Sequence, residues 1–389
     1  MDKQHPNHND YQIKIYDRIA DIPAIDWDYC AGQQNPFILH AFIDALEESG
    51  DVSPRTGYWP HHLALYNCAN ELIAVVPTYI KDNSDAEVGS DLGWNIAHDR
   101  MCGPYYPKLQ VEIPFSPVPG PRFLISPDIN KNDVYPILLA HLKQIVVKKG
   151  LSSLHLNFIN DEEKQFFEES GLLINMGTQF EWSARTQKSF DEFLSSLKPT
   201  KRQMIRRERK LLAKEDLYIS TLTDESITET LMEQLFVMYK DTYERYESKS
   251  FLSQKFFQII QKTMPKSLVL IAAHKEGKFI AGTLSFVGSD RLFVQHWGYR
   301  EHIKFLHFEL SYYLGMNYCF EHNLSALYAG PGGNHKANRG VLPLSTYHAH
   351  WFQNAPFGAA IGIGINKKVS EIKKQQNILN ASSPYMGGL

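Results

Sequence analysis

Residues 63–83, LALYNCANELIAVVPTYIKDN, are echoed at residues 270–290, LIAAHKEGKFIAGTLSFVGSD. In each copy a β-rich run meets a polar turn, then a second β-rich run with Ile-Ala at matched places. Ile73-Ala74 map onto Ile280-Ala281, and Asn70 onto Gly277, at a constant shift of 207. Asn and Gly tolerate the positive φ of a tight turn, so both copies read as β-hairpins. Any two amphipathic hairpins share part of this pattern. The agreement of turn, Ile-Ala pair and flanking order favours two related domains in tandem, and 389 residues suffice for two cores.

The charge balance is close to even, with a net charge of −3. No global field draws nucleic acid or an anionic membrane, so an anion site must be local. Cys30, Cys68, Cys102 and Cys319 lie far apart without metal or redox spacing, as expected of free thiols in a reducing cytoplasm. The opening MDKQHPNHND is polar, unlike a signal peptide, and no apolar run reaches the ~20 residues of a membrane span. A cytoplasmic two-domain protein is the expectation.

Along the chain, residues 1–10 and 381–389 read as disordered tails around domains at 11–185 and 186–380. In the first half, strand-like runs at 12–16, 61–67, 71–80, 153–158 and 178–184 interleave with helical spacing at 36–49, 132–149 and 161–170. Residues 91–122, rich in Pro, Gly and aromatics, read as one long irregular loop of the kind that borders a cleft. Tyr105, Tyr106 and Lys108 in that loop are candidates for substrate binding. The second half has helices near 201–214, 226–246, 253–262, 303–322 and 365–380, and strands near 217–222 and 325–329. It also has a three-strand meander at 268–298. Helices alternating with an antiparallel meander predict an α+β fold rather than a doubly wound parallel sheet.

Three segments could carry chemistry. In PTKRQMIRRERKLLAK, residues 199–214, Thr200 and Gln203 have the spacing of a capping box. Met204, Ile205, Leu211 and Leu212 form an apolar stripe, with Arg202, Arg206, Arg209 and Lys210 opposite. The acidic Glu208 falls on the apolar side. Such a face is either solvated or binds an anion such as a phosphate. In HIKFLHFELSYYLGMNYCFE, Glu309 lies among Leu306, Tyr313, Met316 and Phe320 on the face that should be buried. It is either paired there or poised as a general base with a raised pKa. The run GPGGNHKANRG, residues 330–340, couples glycines that let backbone N–H groups approach a ligand with Lys336 and Arg339. It is neither a Walker loop nor a dinucleotide fingerprint. His348 and His350 share a strand face, but no third ligand is evident and no metal site is expected. No Gly-x-Ser-x-Gly elbow is present.

A hairpin, a third strand, a helix and a further strand resemble the core order of the GCN5-related N-acetyltransferase (GNAT) fold. Two such units in one chain resemble the Fem-type aminoacyltransferases, and more closely the FemAB-like peptidoglycan biosynthesis/recognition family. The resemblance is carried by FIDALEESGDVSPRTGYWPHHLALY, PYYPKLQVEIPFSPVPGPR, the KRxxxRRER helix, HFELSYYLGMNY and GGNHKANRG, which together cover most of residues 37–352. The chain departs from the family pattern at Ser311, Leu314, Tyr328, Gly332 and Asn334, positions expected to lie in the pocket.

The resemblance implies two tandem GNAT-like domains, each a mixed, largely antiparallel twisted sheet flanked by helices. It also implies amide formation by transfer of an acyl or aminoacyl group to an amine. In that scheme Glu309 or His335 accepts the proton and Lys336 partners an oxyanion or carboxylate. Lys201, Arg202, Arg206, Arg207 and Arg339 hold phosphates, and Tyr312 and Tyr313 shape the pocket. GNAT proteins that use acyl-CoA usually hold its pyrophosphate with a Gly-rich loop before the helix. The corresponding YREHIKFLHFE has no glycine, which favours aminoacyl-tRNA as donor over acyl-CoA, with no tightly bound cofactor. A small molecule or a peptidoglycan precursor is the expected acceptor. A specialised-metabolite amide synthase and a non-catalytic binder of such a precursor are the alternatives.

Overall fold

The structure is a computed structural model that describes residues 11–85, 93–245, 247–333 and 335–387. The tail expected at 1–10 lies outside the described residues. Among the described residues fifteen strands occur in chain order: β1 (Tyr11–Tyr16), β2 (Tyr58–Pro60), β3 (His62–Asn67), β4 (Leu72–Val76), β5 (Thr78–Lys81), β6 (Lys108–Val111), β7 (Leu124–Ile125) and β8 (Ser153–Ile159). They continue as β9 (Leu173–Ser183), β10 (Tyr218–Thr223), β11 (Leu268–Lys275), β12 (Lys278–Val287), β13 (Arg291–Tyr299), β14 (Ala326–Pro331) and β15 (Leu342–Phe352).

The described residues group into two units. The first comprises residues up to 33, 37–177 and 346–372, and the second 34–36, 178–345 and 373 onward. The sequence placed the division at 185/186. It falls instead inside β9, because residues 179–183 of that strand pair with β14 of the second unit. Residues 347–352 of β15 pair with β8 of the first unit, so the chain changes unit within a strand twice.

In the first unit, β1-β3-β4-β7 form one antiparallel sheet, and β15, β8, β6, β5 and β2 lie side by side in another. There β6 runs parallel to β8, with Leu109 opposite Leu154, and the helix Lys131–Lys149 makes the crossover. Leu109, Val111, Leu154 and Leu156 pack with Val134, Leu138, Leu142 and Val146 of that helix in one core. In the second unit β10-β11-β12-β13-β14-β9 form the sheet, and β13 runs parallel to β14 across a helical segment at 306–321. Each unit is therefore a hairpin, as the internal echo requires, followed by a helix-bridged parallel pair. The fold is α+β, with two tandem units in the strand order that the GNAT resemblance implies.

The hairpins agree in detail except at the turn. Asn70 and Gly277 both have positive φ, 59° and 72°. In the second copy Lys275 pairs with Lys278, leaving a two-residue turn of Glu276 and Gly277. In the first, Asn67 N–H bonds to the Glu71 carbonyl, leaving three residues in the turn. The shift of 207 thus holds for the second strand, from Ala74 to Ala281, and becomes 208 in the first, from Leu65 to Ala273.

Several expected elements differ. The strand read at 71–80 is two strands in different sheets, because Pro77 lacks an N–H and breaks the ladder between β4 and β5. The long loop at 91–122 contains the helix Trp94–Met101 and β6. The basic helix spans Pro199–Leu212, with Lys198 at its N-cap and no side-chain cap, so Thr200 makes no capping box. Proline's fixed φ and missing N–H suit the first helical position and start the helix two residues early. The last helix is longer than read, Ala355–Ala381. The tail expected from 381 is held down as far as it is described: Ser383 and Tyr385 are buried, and the Tyr385 hydroxyl donates to the Gly340 carbonyl at 2.8 Å. Among the described residues no helix is long and apolar enough to cross a membrane.

Candidate active site

β13 and β14 are hydrogen-bonded partners only at Arg291–Ala326, Leu292–Leu327 and Phe293–Tyr328. Beyond that point β13 stays with β12 and carries a bulge, while β14 stays with β9. The ends of β13 and β14 that run past the shared register therefore cannot satisfy each other's backbone groups. Lys336 supplies the missing donors on one side. Its ammonium donates to the carbonyls of Ala329 (2.6 Å), Gly330 (3.3 Å) and Pro331 (2.9 Å). Burial pushes its pKa down to about 8, which still leaves it charged at neutral pH.

The free end of β13 and the chain that follows wall a cavity of about 550 Å³. Trp297, Tyr299, Phe305, His307, Phe308 and His335 line it, with Glu301, His302 and Lys304 at its polar side. Trp297 and Tyr299 stack, and Trp297 meets His307 edge-on at 4.9 Å. Phe305, with φ of 72°, begins the helical segment. Within that segment Glu309–Tyr313 form a π-helical turn whose five residues are all buried. Such a widened turn often marks a functional site.

Two imidazoles of the cavity, His307 and His335, are biased towards neutrality. Burial, aided by His335, Lys336 and Arg339, holds His307 down at about 4. His335 is lowered by burial and then by Arg339 and Lys336. Gly333, at a φ of 84°, leaves room for the His335 ring, into which any Cβ would collide. The ring lies 5.5 Å from that of Phe308.

Around the cavity lies a buried ionic cluster. Glu208, from the basic helix, takes a forked pair from Arg339, Nη2 to Oε1 at 2.5 Å and Nε to Oε2 at 3.2 Å. The Tyr313 hydroxyl donates to Glu208 at 2.6 Å and accepts from Arg339 Nε at 3.0 Å. Arg339 also donates to the His335 carbonyl at 3.0 Å and lies 3.6 Å over the Phe308 ring. Arg209 forks onto Glu309, at 2.8 to 3.1 Å. Burial raises the Glu309 pKa, and Arg209 opposes that.

These contacts sort the expected site residues. His335 lines the cavity. Glu309 is buried as expected, but its carboxylate is committed to Arg209 and it is not a lining residue. Tyr312 and Tyr313 are buried behind the wall, Tyr312 edge-on to His307. Lys336 and Arg339 spend their donors on protein partners, so a ligand would have to compete for them. The buried stripe of the basic helix is Ile205, Glu208 and Leu212, whereas Leu211 is 39% exposed. Lys201 donates to Asn338 at 2.6 Å and Arg202 weakly to the Ser195 carbonyl. Arg206 and Arg207 are exposed and carry no ion pair among the described residues. Tyr105, Tyr106 and Lys108 belong to the first unit, where Lys108 is buried with its ammonium 5.0 and 5.2 Å over the two rings.

The departures at Ser311, Leu314, Tyr328 and Gly332 are absent from the cavity lining. Ser311 instead shares a hydrogen bond with Thr283 at 3.0 Å inside the protein, and Tyr328 packs on Phe293. Asn334 lies outside the described residues. His348 and His350 share a strand face, and each is bonded inside the first unit, to Asn157 and His155. Among the described residues no group of three His, Cys, Asp or Glu could hold a metal ion. The first unit has a cavity of its own, about 860 Å³, with Asp17, Asp44, Glu47, Glu48 and Asp82 against Arg18 and Lys149. Its carboxylates would repel phosphate.

The cluster joins all three chemistry-bearing segments of the second unit: RRER through Glu208 and Arg209, HFELSYY through Glu309 and Tyr313, and HKANRG through Arg339. The chain belongs to the FemAB-like family. The family, described as peptidoglycan biosynthesis/recognition, matches residues 18–387. No curated protein sequence matches the chain. Among solved structures, FemX superposes with a TM-score of 0.55 at 12% identity, covering 88% of this FemAB-like chain and 98% of that one. The C-terminal domain of a putative lysylphosphatidylglycerol synthetase from Agrobacterium fabrum gives 0.55 at 10% identity, over 90% and 96%. L-PGS from Bacillus licheniformis gives 0.51 at 13%, over 86% and 98%. At such identities these likenesses show a common fold.

Sequence reasoning missed Trp297, Tyr299, His302 and His307. The alternation of Trp297 and Tyr299 at a strand end was the available signal, but it does not distinguish a cavity wall from a core. The staple formed by Lys336 makes a prediction. Lys336→Met should lower stability by about 3 kcal/mol in chemical denaturation, since three carbonyls lose a charged donor. An unchanged midpoint would show that the ammonium is free for ligand.

Proposed function

We propose that this FemAB-like chain is an acyl or aminoacyl transferase that forms an amide on an amine acceptor, with aminoacyl-tRNA as donor. The observation that carries this reading is the cavity where β13 and β14 part, with the His335 imidazole on its wall and kept neutral by its surroundings. A neutral imidazole can take the proton from the attacking amine. The amine nitrogen bonds to the ester carbonyl carbon, and His335 receives the nitrogen's proton. The tetrahedral intermediate then collapses, breaking the ester C–O bond, and the imidazolium returns the proton to the departing hydroxyl. Glu309 acts from behind through its pair with Arg209 rather than as the base.

Two features favour a tRNA ester over acyl-CoA. The turn into the helical segment at 306 has no glycine for a pyrophosphate. The basic helix presents Arg206, Arg207 and Lys210 to solvent, with Lys201 and Arg202 partly exposed beside them. The acceptor in this reading is a peptidoglycan precursor or a small amine, consistent with the family. An acyl-CoA donor is the second reading, and the assay separates them.

With charged tRNA or acyl-CoA offered against amine acceptors, including a UDP-linked muropeptide, product should form from the tRNA arm. His335→Gln should lower kcat/KM by roughly 10²- to 10⁴-fold. Because the base works unprotonated and its pKa is depressed, wild-type kcat/KM should fall only below pH 6.5, and the variant should lose that acid limb. A limb unchanged in the variant would remove His335 from this role. Arg206→Ala and Arg207→Ala should each flatten the dependence of log K on log salt by about 1 for tRNA binding. Slopes equal to wild type would place the tRNA elsewhere.

A further inference from the structure

We infer that Glu208 is a positioning residue for His335, acting through Arg339 and Tyr313 from outside the cavity. Its catalytic meaning rests on the reading of His335 as proton acceptor. The geometry stands without that reading.

Glu208 is the one acidic residue of the Pro199–Leu212 helix, and it is 5% exposed on the buried stripe. Alone there, a carboxylate would be costly. Both of its oxygens are used: Oε1 by Arg339 Nη2, and Oε2 by Arg339 Nε and the Tyr313 hydroxyl. A planar guanidinium gripped at two nitrogens has its orientation fixed. That leaves Nη1, which reaches the His335 carbonyl at 3.0 Å. The same guanidinium lies 3.6 Å over the Phe308 ring, which in turn packs at a 40° tilt beside the His335 imidazole. Glu208 thus sets two things at once: the backbone that carries the imidazole and the aromatic wall against it.

The charge matters as much as the shape. His335 sits among Lys336 and Arg339 from its own loop, and His307 from the helical segment. Glu301, His302 and Lys304 line the same cavity. Glu208 is the anion bonded to Arg339. Without it, the full guanidinium charge acts on His335 and disfavours the imidazolium further. Arg209–Glu309 is a separate pair one helical position away, so the two carboxylates are not interchangeable.

The test reads His335 directly and needs no substrate. In the full chain with 13C-labelled histidine, the His335 Cε1–H resonance is titrated for wild type, Glu208→Gln, Glu208→Asp and Tyr313→Phe. In Glu208→Gln the His335 midpoint should move to lower pH and its resonance should split or broaden, while exposed His302 stays put. Glu208→Asp should restore part of the wild-type midpoint. Tyr313→Phe keeps the ion pair and removes only the bridging hydroxyl, so it reports even where Glu208→Gln does not fold. It should displace the His335 chemical shift. A His335 resonance with wild-type shift and midpoint in Tyr313→Phe and every folded Glu208 variant overturns the assignment. A failure of transferase activity alone would leave this outcome intact.

Discussion

Three residue pairs hold β13 and β14 together, and then the strands part. The rest of the site follows from that separation. A parallel pair that stops sharing hydrogen bonds exposes carbonyls that must be satisfied, and the Lys336 ammonium gathers three of them. Because Lys336 is pinned there, its neighbour His335 is carried to the cavity. The outward run of β13 past the split brings Trp297 and Tyr299 to the same place. A sheet that stayed paired to its ends would have no such opening.

The second element is how charge is confined. Glu208, Arg339, Glu309 and Arg209 are two carboxylates and two guanidiniums in two pairs, the first of them bridged by the buried Tyr313 hydroxyl. Breaking one partner of such a buried pair is far more costly than either pair is stabilising. The cluster therefore specifies arrangement more than it adds stability. It ties the basic helix, the π-helical turn and the His335–Arg339 loop into one body, beside a cavity of aromatic faces in which His307 and His335 are biased towards neutrality. Outside it, Arg206 and Arg207 point to solvent.

Much of this was legible in the sequence, and the failures have physical causes. The hairpin echo was readable because positive φ demands Asn or Gly, and Asn70 and Gly277 met that demand in both units. The one-residue difference between the turns was not, since pairing register is a matter of partners rather than of a single strand. Helical spacing placed Glu309 in the interior correctly, but a wheel of 3.6 residues per turn cannot foresee a π-helical turn that buries five residues in succession. Nor could it name Arg209 as the partner, because Arg209 was assigned to the solvent side. Pro77 was visible, yet its effect, sending β4 and β5 to different sheets, depends on what each strand finds to pair with. Glycines and cations at 330–340 announced a ligand loop. In the structure Lys336 and Arg339 mostly serve the protein, and His335 is the residue they present.

The claim at the centre is that the donor ester is received where β13 and β14 diverge. Hydrogen–deuterium exchange of the full chain, with and without a short RNA ending in a non-hydrolysable 3′-aminoacylamino adenosine, tests it most directly. The account predicts protection of residues 297–308 and 335–340, with phosphate contacts of the RNA adding protection only on the basic helix at 199–212, all weakened by added salt. Saturating probe that leaves those segments unprotected, or that protects only the acidic cavity of the first unit, would contradict it.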